Sequence, residues 1–133
     1  MVLERGHLGR NPWQLVAWEQ GGSSGLGLDG DSLKQQYSGG VGFCRGPAAG
    51  FWLVASGPHG SNFYYGPAPV PATYAVLTAR GRSPVIVPTR TLPQKDGLPR
   101  GRFFIIDPLG PLSVVWNVTL KNASGHTVPF ANF

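Results

Sequence analysis

The longest stretch of this 133-residue chain that contains neither glycine nor proline is Leu112–Ser124. Everywhere else one of the 20 Gly or 13 Pro interrupts the sequence sooner. An interior glycine costs a helix about 1 kcal/mol relative to alanine and a proline about 3 kcal/mol. Long helices are therefore excluded, and the backbone is confined to short extended pieces joined by turns. The same composition borders on low complexity. Yet Leu, Ile, Val and Phe make up about a quarter of the residues, with four Trp and four Tyr beside them, more than a disordered chain carries. A chain of this length buries roughly two thirds of the surface its unfolded form exposes. A turn-rich β domain with a real core satisfies both constraints.

The uninterrupted stretch alternates. Val114, Trp116, Val118 and Leu120 fall on one side, and Ser113, Val115, Asn117, Thr119 and Lys121 on the other, the period of two that marks a half-buried strand. Further β-rich runs stand at Trp13–Glu19, Gly50–Ser56, Phe63–Tyr65, Thr73–Ala79, Pro84–Thr91 and Arg102–Asp107, each bounded by Gly, Pro or Asp. Without helical patterns between them, they predict an all-β fold, an antiparallel sandwich or barrel of about seven short strands with long Gly/Pro-rich loops. Pro88 cannot donate to a ladder, which places the Pro84–Thr91 run at a sheet edge or a bulge. Phe103, Phe104, Ile105 and Ile106 form a continuous apolar run, as in a strand covered on both faces. Asp31–Ser38 is expected to form one or two helical turns, with Asp31 or Ser32 as N-cap and Gly39 as stop. The whole chain, 1–133, is expected to be a single domain, with 1–40 as a Gly-rich arm or loop region and 41–133 as the β core. Gly57–Pro71, with four prolines around Asn62-Phe63-Tyr64-Tyr65, is expected as a rigid exposed loop; its aromatics either meet a partner or pack onto the domain's own core.

Charge is sparse: 13% of the residues are charged, with 11 Lys and Arg against 6 Asp and Glu for a net charge of +5. So few charges alongside eleven Phe and Trp suit a surface partly covered by neighbours, the alternative being a surface of Ser, Thr and Asn. Arg80, Arg82, Arg90, Lys95, Arg100 and Arg102 crowd into one segment opposed only by Asp96, while Glu4, Glu19, Asp29 and Asp31 lie in the first 31 residues. Such polarity steers an anionic partner or lets a basic face meet an acidic one on the next copy, unless the arginines simply decorate a solvated loop. Cys44 is the only cysteine, so no intrachain disulfide forms, and a small buried thiol is its expected state. No signal peptide or transmembrane segment is recognisable, which sets the expected location as virion or cytoplasm. Asn117-Val118-Thr119 and Asn122-Ala123-Ser124 fit the glycosylation pattern but are taken as strand and turn residues.

Motifs for chemistry are weak. Gly25-Leu26-Gly27-Leu28-Asp29-Gly30 has the spacing of a phosphate-cradling loop, but three such glycines recur by chance in so glycine-rich a chain and the βαβ setting is absent. Asp29-Gly30-Asp31-Ser32 opens like a calcium loop and then places Gly40 where the closing Glu belongs. His7, His59 and His126 are scattered, and His59 with Ser61 lacks the nucleophile elbow. No catalytic residue, cofactor or metal site is expected.

Trp13–Gly21, with Leu15-Val16-Ala17-Trp18-Glu19 before the glycines, resembles the strand and turn of the small head-decoration proteins of tailed bacteriophages; no functional residue is carried across. By analogy of profile, a small β protein that is poor in charge and rich in Gly, Pro and aromatics is expected to be a non-enzymatic structural component of an assembly. Capsid decoration or cement, a tail or a neck protein are the forms it would take, as a homo-oligomer or packed on a neighbouring kind of subunit. The interface candidates are Phe63, Tyr64, Tyr65, Arg80, Arg82, Arg90, Arg100, Arg102, Phe130 and Phe133. The alternative is a module for carbohydrate through exposed aromatics, Trp13, Trp18, Trp52 or Tyr, or for single-stranded nucleic acid through the basic segment 80–102, with Phe103 and Phe104 stacking on bases. No membrane partner is expected.

Overall fold

The computed structural model describes residues 1–8, 11–20, 23–29, 34–35, 41–42, 53–56, 62–94, 98, 100–108 and 114–129. Their strands in chain order are β1 (Val2–Leu8), β2 (Asn11–Gln20), β3 (Ser23–Asp29), β4 (Lys34–Gln35), β5 (Val41–Gly42), β6 (Leu53–Ser56) and β7 (Asn62–Ala68). There follow β8 (Tyr74–Thr78), β9 (Val85–Pro88), β10 (Arg90–Thr91), β11 (Arg102–Ile106), β12 (Asn117–Lys121) and β13 (Thr127–Val128). Among the described residues there is no helix, and so none long and apolar enough to cross a membrane. The strands form three antiparallel sheets, ordered β1-β2-β3-β5, β10-β11-β7-β6-β4 and β13-β12-β8-β9.

The all-β antiparallel class holds, with more strands than seven. Pro84–Thr91 divides into β9 and β10, and the first 40 residues, expected as an arm or loop, carry β1 to β4. Lys34–Gln35 is a short strand paired with β6 where a helical turn was expected; the rest of Asp31–Ser38 lies outside the described residues, as does Cys44.

Two cores separate the three sheets, and the second sheet contributes to both. Leu15, Ala17, Leu26 and Leu28 of the first sheet meet Phe63, Tyr65 and Phe103 of the second, with Leu92. On the opposite face Tyr64, Ala68 and Phe104 meet Ala75, Leu77, Val118, Leu120 and Val128 of the third sheet, with Ala72 and Trp116. Register explains the sorting. Ile105 pairs with Tyr65 and Ile106 with Tyr64, and directly opposed residues share a face, so odd positions of β11 face one core and even positions the other. A middle sheet buried on both sides needs an unbroken apolar run, and Phe103–Ile106 supplies it as anticipated. The first and third sheets are covered on one side only and alternate, as Leu15, Ala17 and Val118, Leu120 show.

Pro88 ends β9 at the outer edge of the third sheet, where a missing donor is tolerated. Thr89 then carries the chain across to β10, at the edge of the second sheet. Gly81, with φ +73°, is the third residue of the turn closed by Arg82 N–H to the Ala79 carbonyl at 3.1 Å, a position that requires a left-handed backbone. Gly125, with φ +83°, lies in the five-residue loop, 122–126, joining β12 to β13. There Asn122 Oδ1 accepts from the Ser124 and His126 amides, both at 3.0 Å. Both glycosylation-like triplets thus lie where they were read, in strand and turn.

Gly6 has a different reason. It opposes Trp13 across β1 and β2, and a Cβ on it would clash with the indole at Cζ2. The indole covers the bare glycine and tilts against Phe63, with ring centroids 5.1 Å apart, an aromatic shielding a strand glycine. Gly6→Ala is expected to push the ring off Phe63 and destabilise the protein by about 1–3 kcal/mol. Urea unfolding followed by Trp fluorescence measures it, and an unchanged midpoint would show the ring free to move aside.

Candidate functional site

The aromatic stretch Phe63–Tyr65 of the expected interface is internal. Phe63, Tyr64 and Tyr65 are buried in β7, which lies between β11 and β6, so the exposed-loop expectation gives way to the alternative of packing on the core. Among the described residues β6 pairs with β7 from Ser56 opposite Asn62 to Leu53 opposite Tyr65, and Pro67 stands opposite Phe103 of β11. The Tyr64 hydroxyl accepts from the Trp116 amide at 3.2 Å and links the second sheet to the lead-in of β12. The Tyr65 hydroxyl is hydrogen-bonded to the Leu28 backbone in the first sheet, and burial pushes its pKa up to about 12. Phe130 and Phe133 lie outside the described residues.

The basic segment is divided. Arg80 and Arg82 are exposed on the turn at one end of β9. Arg90, Arg100 and Arg102 lie beyond its other end, about 13 Å away along a four-residue strand. Arg102 is held internally: Nε donates to Thr89 Oγ1 at 2.6 Å, Nη2 to the Thr89 carbonyl at 2.9 Å and Nη1 to Thr91 Oγ1 at 3.1 Å. Thr89 Oγ1 in turn donates to the Ala72 carbonyl at 2.6 Å. The guanidinium fork therefore rivets the crossover between β9 and β10 onto β11. Arg90, itself exposed, stands 3.8 Å from the half-buried Glu4, a surface pair of small energetic weight. Phe103 and Phe104 are buried, so neither offers a face for base stacking. Lys95 and Asp96 lie outside the described residues.

Two other surfaces stand out. The first is the outer face of the third sheet. Pairing aligns Ile86 with Val76 and Val76 with Thr119, and next to them Pro88 with Tyr74 and Tyr74 with Lys121. Ile86 is 64% exposed and Val115, continuing the same alternation ahead of β12, is 75% exposed. Lys121 is the only charged residue in the four strands of this sheet, and its Nζ donates to Thr127 Oγ1 at 3.1 Å.

The second is an open cleft of about 440 Å³ across β1, β2 and β3. Arg5, His7, Gln14 and Asp29 line it together with Gly6 and Trp13. Arg5 pairs with Gln14 and Gln14 with Asp29, forming one polar row across three strands. The described residues hold no group of three or more His, Cys, Asp or Glu able to bind a metal ion.

The chain matches no protein-family model, no curated protein and no solved structure. Its surfaces are therefore read on their own chemistry. Neither surface was singled out from the sequence. Ile86 sat in a run identified only as an edge, and Val115 in one identified only as alternating. Arg5, Gln14 and Asp29 belong to three strands and meet only through register.

Proposed function

We propose that this protein is a non-enzymatic structural component that packs against neighbouring protein subunits through the outer face of its third sheet. A small virion part, such as a capsid-decoration, tail or neck protein, is the form of assembly that suits it. The observation that carries the reading is the exposure of Ile86 and Val115 on a face whose four strands carry one charged residue, Lys121. Apolar side chains gathered on one face mark interaction sites, and a β-branched, Thr-rich sheet face offers flat, rigid contact at low entropic cost. The division of the basic residues between two ends of β9, and the burial of Phe103 and Phe104, weigh against the nucleic-acid alternative.

Native mass by light scattering after size exclusion, with absorbance at 260 and 280 nm on the same peak, tests it. The wild type is expected as a defined oligomer free of nucleic acid, and Ile86→Lys with Val115→Lys as a monomer with unchanged thermal unfolding. A wild type that stays monomeric at the highest concentration it reaches, or a peak carrying nucleic acid, would overturn the proposal.

A further inference from the structure

We infer that the cleft across β1, β2 and β3 is a binding site for an anionic sugar, with the acid group on Arg5 and hydroxyls on Gln14 and Asp29. The cleft lies away from the outer face of the third sheet, so it stands or falls independently of assembly. Its floor is the backbone where Gly6 opposes Trp13. The indole is folded over Gly6 and braced on Phe63, so the floor is held by the first core. Its volume of about 440 Å³ falls in the range of small-molecule sites.

The polar lining has a definite order. Arg5 and His7 lie two positions apart on β1 and therefore on one face, about 7 Å from each other along the strand. Gln14 stands opposite Arg5 and Asp29 opposite Gln14, so Arg5 and Asp29 are separated by two strand spacings, about 10 Å between backbones. Arg5 and Asp29 are both exposed. A guanidinium takes an oxyanion in bidentate fashion. At the other end a carboxylate accepts and never donates, so it repels a bare anion and favours hydroxyl donors. Gln14 between them offers both a donor and an acceptor. A ligand bearing an acid group at one end and vicinal hydroxyls at the other satisfies the whole row, and the net charge of +5 favours its approach. A uronate and a sugar phosphate share this chemistry.

Titration of the ¹⁵N-labelled chain, followed by amide chemical shifts, tests the site with glucuronate, glucose 6-phosphate, glucose, inorganic phosphate and 6-aminohexanoate as separate probes. An open cleft is expected to bind on the order of 1 mM. Shifts are expected at residues 5–7, 12–14 and 29 with glucuronate or glucose 6-phosphate, and whichever is tighter identifies the acid group. Arg5→Gln is expected to weaken that ligand by about ten- to hundredfold. Asp29→Asn is expected to weaken it and to strengthen inorganic phosphate. The inference is overturned if neither anionic sugar shifts these residues or if Arg5→Gln binds as well as the wild type. It is equally overturned if glucose or inorganic phosphate matches them, since one end of the row would then be idle. A match by 6-aminohexanoate, which offers opposite charges without hydroxyls, would reassign the cleft to a zwitterion.

Discussion

Phe104→Ala is expected to lower the unfolding free energy by about 3–5 kcal/mol, the usual cost of emptying a large buried aromatic site. Phe104 is 1% exposed, near the centre of the core between the second and third sheets. It stands opposite Gly66 across the β7–β11 ladder, so no side chain directly opposite it can lean into the space left behind. The surrounding Tyr64 is also held, through its hydroxyl on the Trp116 amide. Urea denaturation with linear extrapolation gives the number, and a loss under about 1 kcal/mol would mean that this face of the middle sheet is not covered. An exposed control, Thr78→Ala on the outside of the third sheet, is expected to stay within about 0.5 kcal/mol of wild type.

Alkaline pH is the second large lever. Burial of Tyr65 favours its neutral phenol, so the folded pKa of about 12 stands above the ordinary value of 10.0. The sign follows from proton counting: between those two values the unfolded chain has lost its proton and the folded chain has kept it, so stability falls as pH rises. The contribution is intact below about pH 10 and is lost across the window up to about pH 12, about 3 kcal/mol in all at 1.36 kcal/mol per unit. Tyr65→Phe removes the proton that drives this loss. It leaves the Leu28 backbone without its partner, at about 1 kcal/mol near neutral pH, and flattens the alkaline decline. Unfolding free energies at about pH 9 and about pH 12 for both proteins decide the matter: an equally steep decline in the variant would put the cause elsewhere.

What the sequence disclosed depended on how many faces of a strand are covered. Trp116, Val118 and Leu120 are buried while Val115 and Asn117 are exposed, because the third sheet has one wet face and period two survives. Pro88 announced an edge for the same local reason. In β7 both faces are dry, so Phe63, Tyr64 and Tyr65 show no alternation, and nearby prolines dominated the pattern. That Pro67 lies within a paired strand, opposite Phe103, is a tertiary fact with no local signal. Of the N-terminal strands β2 was legible as the run Trp13–Glu19, while β1 and β3 were obscured by small residues. Gly25 and Gly27 in β3 oppose Trp18 and Val16, and Gly6 in β1 is bare to admit an indole from the next strand. The candidate cleft was hidden more deeply, since its guanidinium, amide and carboxylate converge only once three strands fix their register.

The two-sided middle sheet also decides how this protein fails. Phe63–Ala68 of β7 and Phe103 and Phe104 of β11 are buried in the native state, so lifting off either outer layer exposes aromatic and branched side chains in already extended backbone. Phe103–Ile106 offers four such residues in a row without a charge or a proline, the makeup of segments that seed cross-β aggregation. A partly opened molecule is therefore more hazardous than a fully unfolded one, because it presents that stretch preformed as a strand. The crossover at Thr89, pinned by Arg102, opposes that first opening by tying the edges of two layers to a single short length of chain.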